Sequence, residues 1–156
     1  KIEKFEASPQ QKYKNLKKVL QNKNILKIFH FARFDLATIN FYVCKVEGNI
    51  WCTKIASKLS RTYTNKHGLS DLTKELLSIE ISKEQQSSNW GNKIISEKQK
   101  KYASNDVLYL HNLKEKLEEI LLQENRLELA EKVFSFLKVR VELDLSGFED
   151  LDIFAH

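Results

Sequence analysis

Two short apolar runs, each followed at once by a helical pattern, limit the fold more than any other feature of this chain. Ile25-Leu26-Lys27-Ile28-Phe29 is short and rich in apolar and β-branched residues, as a buried strand is. His30 to Phe34 reads as a turn, and Asp35 to Tyr42 as a helix. Asn49-Ile50-Trp51-Cys52 reads as the second strand, and Thr53 stands where it can cap a helix over Lys54–Leu59. Strand, helix, strand, helix predicts an α/β chain built on a parallel sheet. Two strands are too few for a stable sheet. Further strands are therefore expected from before Lys1, and Lys1 to Glu6, with Ile2 and Phe5, reads as the tail of one. The sequence holds no Met and begins at Lys1, so residue 1 is taken as an internal position of a longer protein.

The remaining pattern is helical. Ser8-Pro9 has the form of a cap followed by Pro at the first helical position, opening a helix over about residues 9–22. Its apolar face is Tyr13, Leu16, Val19 and Leu20. Arg61 to Gly68 is a polar loop, and Leu69, Leu72, Leu76 and Leu77 mark the next helix. Ser82 to Asn92 is polar and irregular. Ser96 caps a helix in which Val107, Leu110, Leu113, Leu117 and Ile120 carry the apolar stripe to about Gln123. A last helix spans about residues 126–144, with Leu127, Ala130, Phe134, Leu137 and Val141 inward, and Ser146-Gly147 ends it. With 156 residues and no repeat, residues 1–156 are read as a single domain.

Composition narrows the functional classes. Hydrophobic residues at 42% and charged residues at 30% exclude a disordered chain. No apolar run approaches the roughly 18 residues of a membrane span, and no signal-peptide pattern is present. Cys44 and Cys52 make neither a disulfide framework nor zinc spacing, and read as reduced thiols of a cytoplasmic protein. Residues 1–110 carry 20 Lys/Arg against 10 Asp/Glu, whereas residues 111–156 carry 6 against 11. A basic body suits a polyanionic partner, and equally suits ordinary solvated faces.

Two segments can carry chemistry. His30-Phe31-Ala32-Arg33-Phe34-Asp35 follows the first strand directly, where ligand sites of open α/β sheets lie. Taken alone, Asp35 reads in preference as a helix-start residue favoured by the macrodipole. In Tyr102-Ala103-Ser104-Asn105-Asp106, the i, i+4 spacing sets Tyr102 and Asp106 on one helix face. Taken alone, these are a core Tyr and a rim Asp. Together, a carboxylate after a strand and a carboxylate one turn beyond a Tyr are what a Mg²⁺ site needs, because that ion takes oxygen ligands from few carboxylates. Of the flanking side chains, Phe31 and Phe34 read as core packing in preference to base stacking, and Trp90 as a packing anchor. Lys83 and Gln86 read as solvated loop. His67, His111 and His156 have no metal spacing with the cysteines.

His30-Phe31-Ala32-Arg33-Phe34-Asp35-Leu36 resembles the second motif of the DEDD superfamily of 3′→5′ exonucleases, and Tyr102-Ala103-Ser104-Asn105-Asp106-Val107 resembles the third motif in its Tyr-containing form. Between them, Cys52-Thr53-Lys54-Ile55-Ala56, His67-Gly68-Leu69-Ser70-Asp71-Leu72 and Ser88-Asn89-Trp90, with Ser96 and Gln99, follow the ribonuclease D pattern in order and spacing. The whole chain, through Asp152-Ile153-Phe154-Ala155-His156, is similar to short ribonuclease D-like proteins. The resemblance implies a ribonuclease H-like fold, a mixed sheet flanked by helices. It implies hydrolysis of RNA or DNA from the 3′ end with two Mg²⁺ or Mn²⁺ ions, releasing nucleoside 5′-monophosphates. It implies Asp35 and Asp106 as metal ligands and Tyr102 as the residue that positions the water; His30, at the strand end, reads evenly as a substrate contact or as a structural hydrogen-bonder. The partners implied are single-stranded 3′ ends. The family's first motif, an Asp-x-Glu on a first strand, is absent: the first Asp of the chain is Asp35 itself. That motif is expected upstream of Lys1. The alternative is a nucleic-acid-binding fragment whose catalysis needs the missing segment or another chain.

Overall fold

The structure is a computed structural model and describes residues 13–82, 88–92 and 94–155. Strand β1 (Lys27–Phe29) lies parallel to β2 (Ile50–Cys52), with Lys27 opposite Ile50, Ile28 opposite Trp51 and Phe29 opposite Cys52. Among the described residues these two strands make the sheet. The expected partial strand at Lys1–Phe5 and the Ser8-Pro9 cap lie outside the described residues.

Both strands are shorter than the sequence predicts. Ile25 and Leu26 are exposed, and the strand begins at Lys27, a lysine only 6% exposed. Its ammonium explains the position: it donates to the carbonyls of Asn22 at 2.5 Å and Glu47 at 2.6 Å, tying together the two segments that enter the strands. Gly48 completes this junction. It adopts φ +78, and a Cβ there would lie 2.7 Å from the Lys23 carbonyl oxygen.

Helix α1 (Lys14–Gln21) buries only Leu20 of its expected face; Tyr13, Leu16 and Val19 are exposed. Helix α2 (Ala32–Tyr42) starts three residues before the expected Asp35, because Phe31 already holds the cap position. The Phe31 carbonyl accepts from the amides of Phe34 at 3.0 Å and Asp35 at 3.4 Å, so the predicted turn is the first turn of the helix. Helix α3 (Thr53–Ser60) follows β2 without a loop. Thr53 does not cap it. Its hydroxyl is turned back to the end of β1 instead, donating to the Phe29 carbonyl.

Arg61 to Gly68 is held from inside. The Arg61 side chain is fully buried; it donates to Ser57 Oγ and the Lys66 carbonyl, both at 2.9 Å, and pairs with the Glu75 carboxylate. This buried charge is accompanied by enough acceptors to satisfy its fork. Helix α4 (Leu69–Leu77) then buries Leu72.

Ser96 caps helix α5 (Glu97–Leu108) as expected, in a reciprocal capping box with Gln99. The single helix predicted to reach Gln123 is broken at Tyr109, whose ψ of 0 ends α5 and starts α6 (Leu110–Gln123). The break rotates the faces apart. Val107, expected in the core stripe, is 60% exposed, and Leu121 takes the inward place while Ile120 is only half-buried. Helix α7 (Leu127–Leu143) buries Ala130, Phe134, Leu137 and Val141 as predicted, and passes into a wide turn over Asp144–Phe148 containing Gly147 at φ +91.

The core lies between the sheet and helices α6 and α7. Leu113, Leu117 and Leu121 pack with Ala56 of α3, and Trp51 of β2 meets Phe134 with ring centroids 5.1 Å apart. Among the described residues no helix is long and apolar enough to cross a membrane.

Candidate active site

A cleft of about 580 Å³ opens at the carboxyl end of β1. His30 ends the strand, Asp35 projects from the first turn of α2, and Tyr102 with Asp106 come from successive turns of α5. All four line this cleft, although Asp35 and Asp106 are 71 residues apart in the chain. The other walls include Phe29, Phe31, Val107 and the Gly68–Ser70 segment set by the Arg61 network.

The electrostatics follow from burial. The Asp35 carboxyl is held above the ordinary range by loss of water and then by the facing charge of Asp106. Burial raises Asp106 likewise. The Tyr102 hydroxyl is raised by burial and by Asp106, so it keeps its proton. Among the described residues neither carboxylate has a hydrogen bond or ion pair to a basic side chain. Two desolvated carboxylates facing each other across a cleft fit a hard divalent cation, which accepts oxygen ligands and keeps waters in its other positions. Among the described residues no group of three or more His, Cys, Asp or Glu could hold a metal, so this pair is what those residues offer.

His30 is set by its neighbours. Its Nδ1 lies 2.9 Å from Thr53 Oγ1, and that hydroxyl spends its own proton on the Phe29 carbonyl. Thr53 therefore accepts, Nδ1 carries the proton, and Nε2 is left as an acceptor. Burial, then the Lys54 cation, lowers the imidazole to about 4, so the ring is neutral.

Several flanking residues differ from expectation. Phe31 and Phe34 are not core residues: they are 49% and 65% exposed, because the early start of α2 turns both rings outward. Phe31 lines the cleft. Trp90, expected as a packing anchor, is 40% exposed and rests against Tyr102, with ring centroids 6.0 Å apart. The segment bearing it is held by Gln99, whose side-chain amide donates to Ser88 Oγ and the Asn89 carbonyl. His67 Nδ1 is 2.8 Å from Ser57 Oγ. Lys83 and Gln86 lie outside the described residues.

Residues 2–122 match the family described as 3′-5′ exonuclease. The chain belongs to that family, and its fold is the ribonuclease H-like fold of ribonuclease D-like DEDD exonucleases. It is 33% identical over 125 residues to DNA polymerase I of Aquifex aeolicus, covering 80% of this chain and 20% of that protein. It is 32% identical over 111 residues to ribonuclease D of Shewanella, covering 70% of this chain and 28% of that protein. The chain thus spans under a third of the length of these two curated relatives. Among solved structures, NrnC of Brucella melitensis is 51% identical, with a TM-score of 0.87 over 91% of this chain and 69% of that one. Structures of that protein with bound Mg²⁺ and bound to pGG match over the same shares.

Proposed function

We propose that residues 1–156 form a single exonuclease domain whose full-length protein hydrolyses single-stranded RNA or DNA from the 3′ end, releasing nucleoside 5′-monophosphates. The observation that carries this reading is the convergence of Asp35, Tyr102 and Asp106 on one cleft at the strand end. The Mg²⁺ and pGG complexes of Brucella NrnC support it. The free thiols of Cys44 and Cys52 agree with a cytoplasmic setting.

In this reading Asp35 and Asp106 hold divalent ions, Mg²⁺ or Mn²⁺, two per site. The chemistry such ions supply is polarisation of a phosphoryl oxygen and a lowered pKa for water. Tyr102, protonated at neutral pH, holds the attacking water through its hydroxyl. His30 Nε2, an acceptor, receives a hydrogen bond from a sugar hydroxyl. Ile28, Phe29 and Leu110 form the apolar wall of the cleft beside these groups.

A second reading, a binding fragment whose catalysis requires carboxylates from elsewhere, draws on the fact that the described residues supply only a pair of carboxylates to the cleft. Incubation of the full-length protein with 5′-labelled single strands in Mg²⁺ separates the two. The exonuclease reading expects a ladder shortening one nucleotide at a time, with mononucleotides as product. Retention of the strand without shortening would favour the binding fragment.

A further inference from the structure

Phe31 is an unusual residue to leave half in water, and two further features of its surroundings give it a use. Lys54 Nζ sits over the Phe31 ring, 4.3 Å from its centroid. Phe34 stacks against it, the ring planes 9° apart and the centroids 6.3 Å apart. Among the described residues Lys54 has no carboxylate partner, so its charge is answered only by the ring. A cation over an exposed aromatic face is weakly held and readily exchanged.

Both residues are tied to the same point of the fold. The Phe31 carbonyl accepts from the Asp35 amide, which places the ring one helical turn, about 5.4 Å of pitch, before the carboxylate. The Lys54 amide donates to the His30 carbonyl at 3.2 Å, which fixes the start of α3 against the end of β1. Phe31 thus lines the cleft that contains Asp35, with the Lys54 ammonium over its ring.

We propose that Phe31 and Lys54 form a stacking platform for one base of a single strand, next to the scissile phosphate; this rests on the exonuclease reading above. The base takes the ring face that the ammonium covers in the free protein. The ammonium, released, moves to the adjoining phosphate, so one cation serves the empty and the loaded site in turn. Stacking on a ring face is open to every base and closed to a base held in a duplex. The platform therefore selects for single strands without selecting sequence.

Abasic substitution within the strand tests this directly. A short 5′-fluorescein single strand, and copies lacking the base at the 3′-terminal or the penultimate nucleotide, are titrated into metal-free full-length protein by anisotropy. For the wild type, one of the two abasic strands is expected to bind about 5- to 150-fold more weakly, equivalent to about 1–3 kcal/mol. In Phe31→Leu the intact strand is expected to lose the same factor, and the abasic penalty to vanish. Phe31→Trp is expected to retain it. Lys54→Gln is expected to reduce the slope of log affinity against log salt by about 0.7, the loss of one phosphate contact to a single strand. An abasic penalty unchanged in Phe31→Leu, or no penalty in the wild type at either position, overturns the platform. Phe31 lies outside the core, so its variants are expected to keep the wild-type thermal midpoint. Mg²⁺-dependent hydrolysis is measured on the same preparations. A protein that cleaves but shows no Phe31-dependent penalty keeps the exonuclease reading and loses the platform; one that shows the penalty without cleaving does the reverse.

Discussion

Tyr102 and Asp106 share a helix face, and the burial that raises both groups also separates their tasks. The phenol keeps its proton and can only hydrogen-bond; the carboxylate ionises and can only attract cations. Tyr102→Phe preserves the ring against Trp90 and removes the hydroxyl. The rate is expected to fall about 10²- to 10⁴-fold with little change in thermal midpoint. A stability loss with the rate intact would make Tyr102 a packing residue. The carboxylates make a second expectation, with its sign set by linkage. Asp35 and Asp106 ionise at higher pH in the folded chain than in the unfolded one. Between the two values the folded state holds more protons, so metal-free stability falls as pH rises through the carboxylate range and stays reduced above it. Asp106→Asn removes that cost: in EDTA at pH 7 its midpoint is expected to rise by about 2–4 °C. Added Mg²⁺ is expected to stabilise the wild type and to leave the variant nearly unmoved. A metal-free variant less stable than the wild type would contradict this. At this scale the pairing of Tyr102 with Asp106 was legible, because helical spacing alone sets them on one face. The exposure of Phe31 was not. Whether a ring faces core or solvent turned on where α2 begins, and a cap position held by Phe carries no side-chain signature.

Among the elements, α5 shows how local chemistry reaches the site. Ser96 and Gln99 exchange hydrogen bonds at its start, and the spare amide protons of Gln99, buried to 6% exposure, hold the segment that carries Trp90. Ser96→Ala is expected to cost about 1 kcal/mol in denaturant unfolding. A cost near zero would mean that tertiary contacts alone hold the helix start. The Ser96 cap was readable because a Ser just before a helical pattern is a local rule. The break at Tyr109 was not, because its cause is tertiary: Leu110 must turn into the core while Val107 stays at the cleft. Thr53 misled for a related reason. A Thr before an apolar run usually caps, but here its hydroxyl bonds across to β1 and sets the His30 tautomer. In the first turn of α2, Arg33 pairs with Asp144, which Arg140 also contacts, so the turn after α7 is fastened to the helix that carries Asp35.

At the scale of the molecule, the strand–helix alternation and the amphipathic stripes of α6 and α7 were legible because each is a periodic signal over many residues. The open face of α1 was not, since periodicity reports which side is apolar and not what covers it. The basic balance of residues 1–110 agrees with a polyanionic substrate, but the specific element is the pair of carboxylates set inside that positive body. The proposed catalysis depends on that pair. The most direct measurement is release of mononucleotides from a single strand by full-length wild-type protein and by Asp106→Asn, each in Mg²⁺ and in EDTA. Release only by the wild type, and only in Mg²⁺, is the expected result. Near-normal release by Asp106→Asn, or undiminished release by the wild type in EDTA, would contradict it.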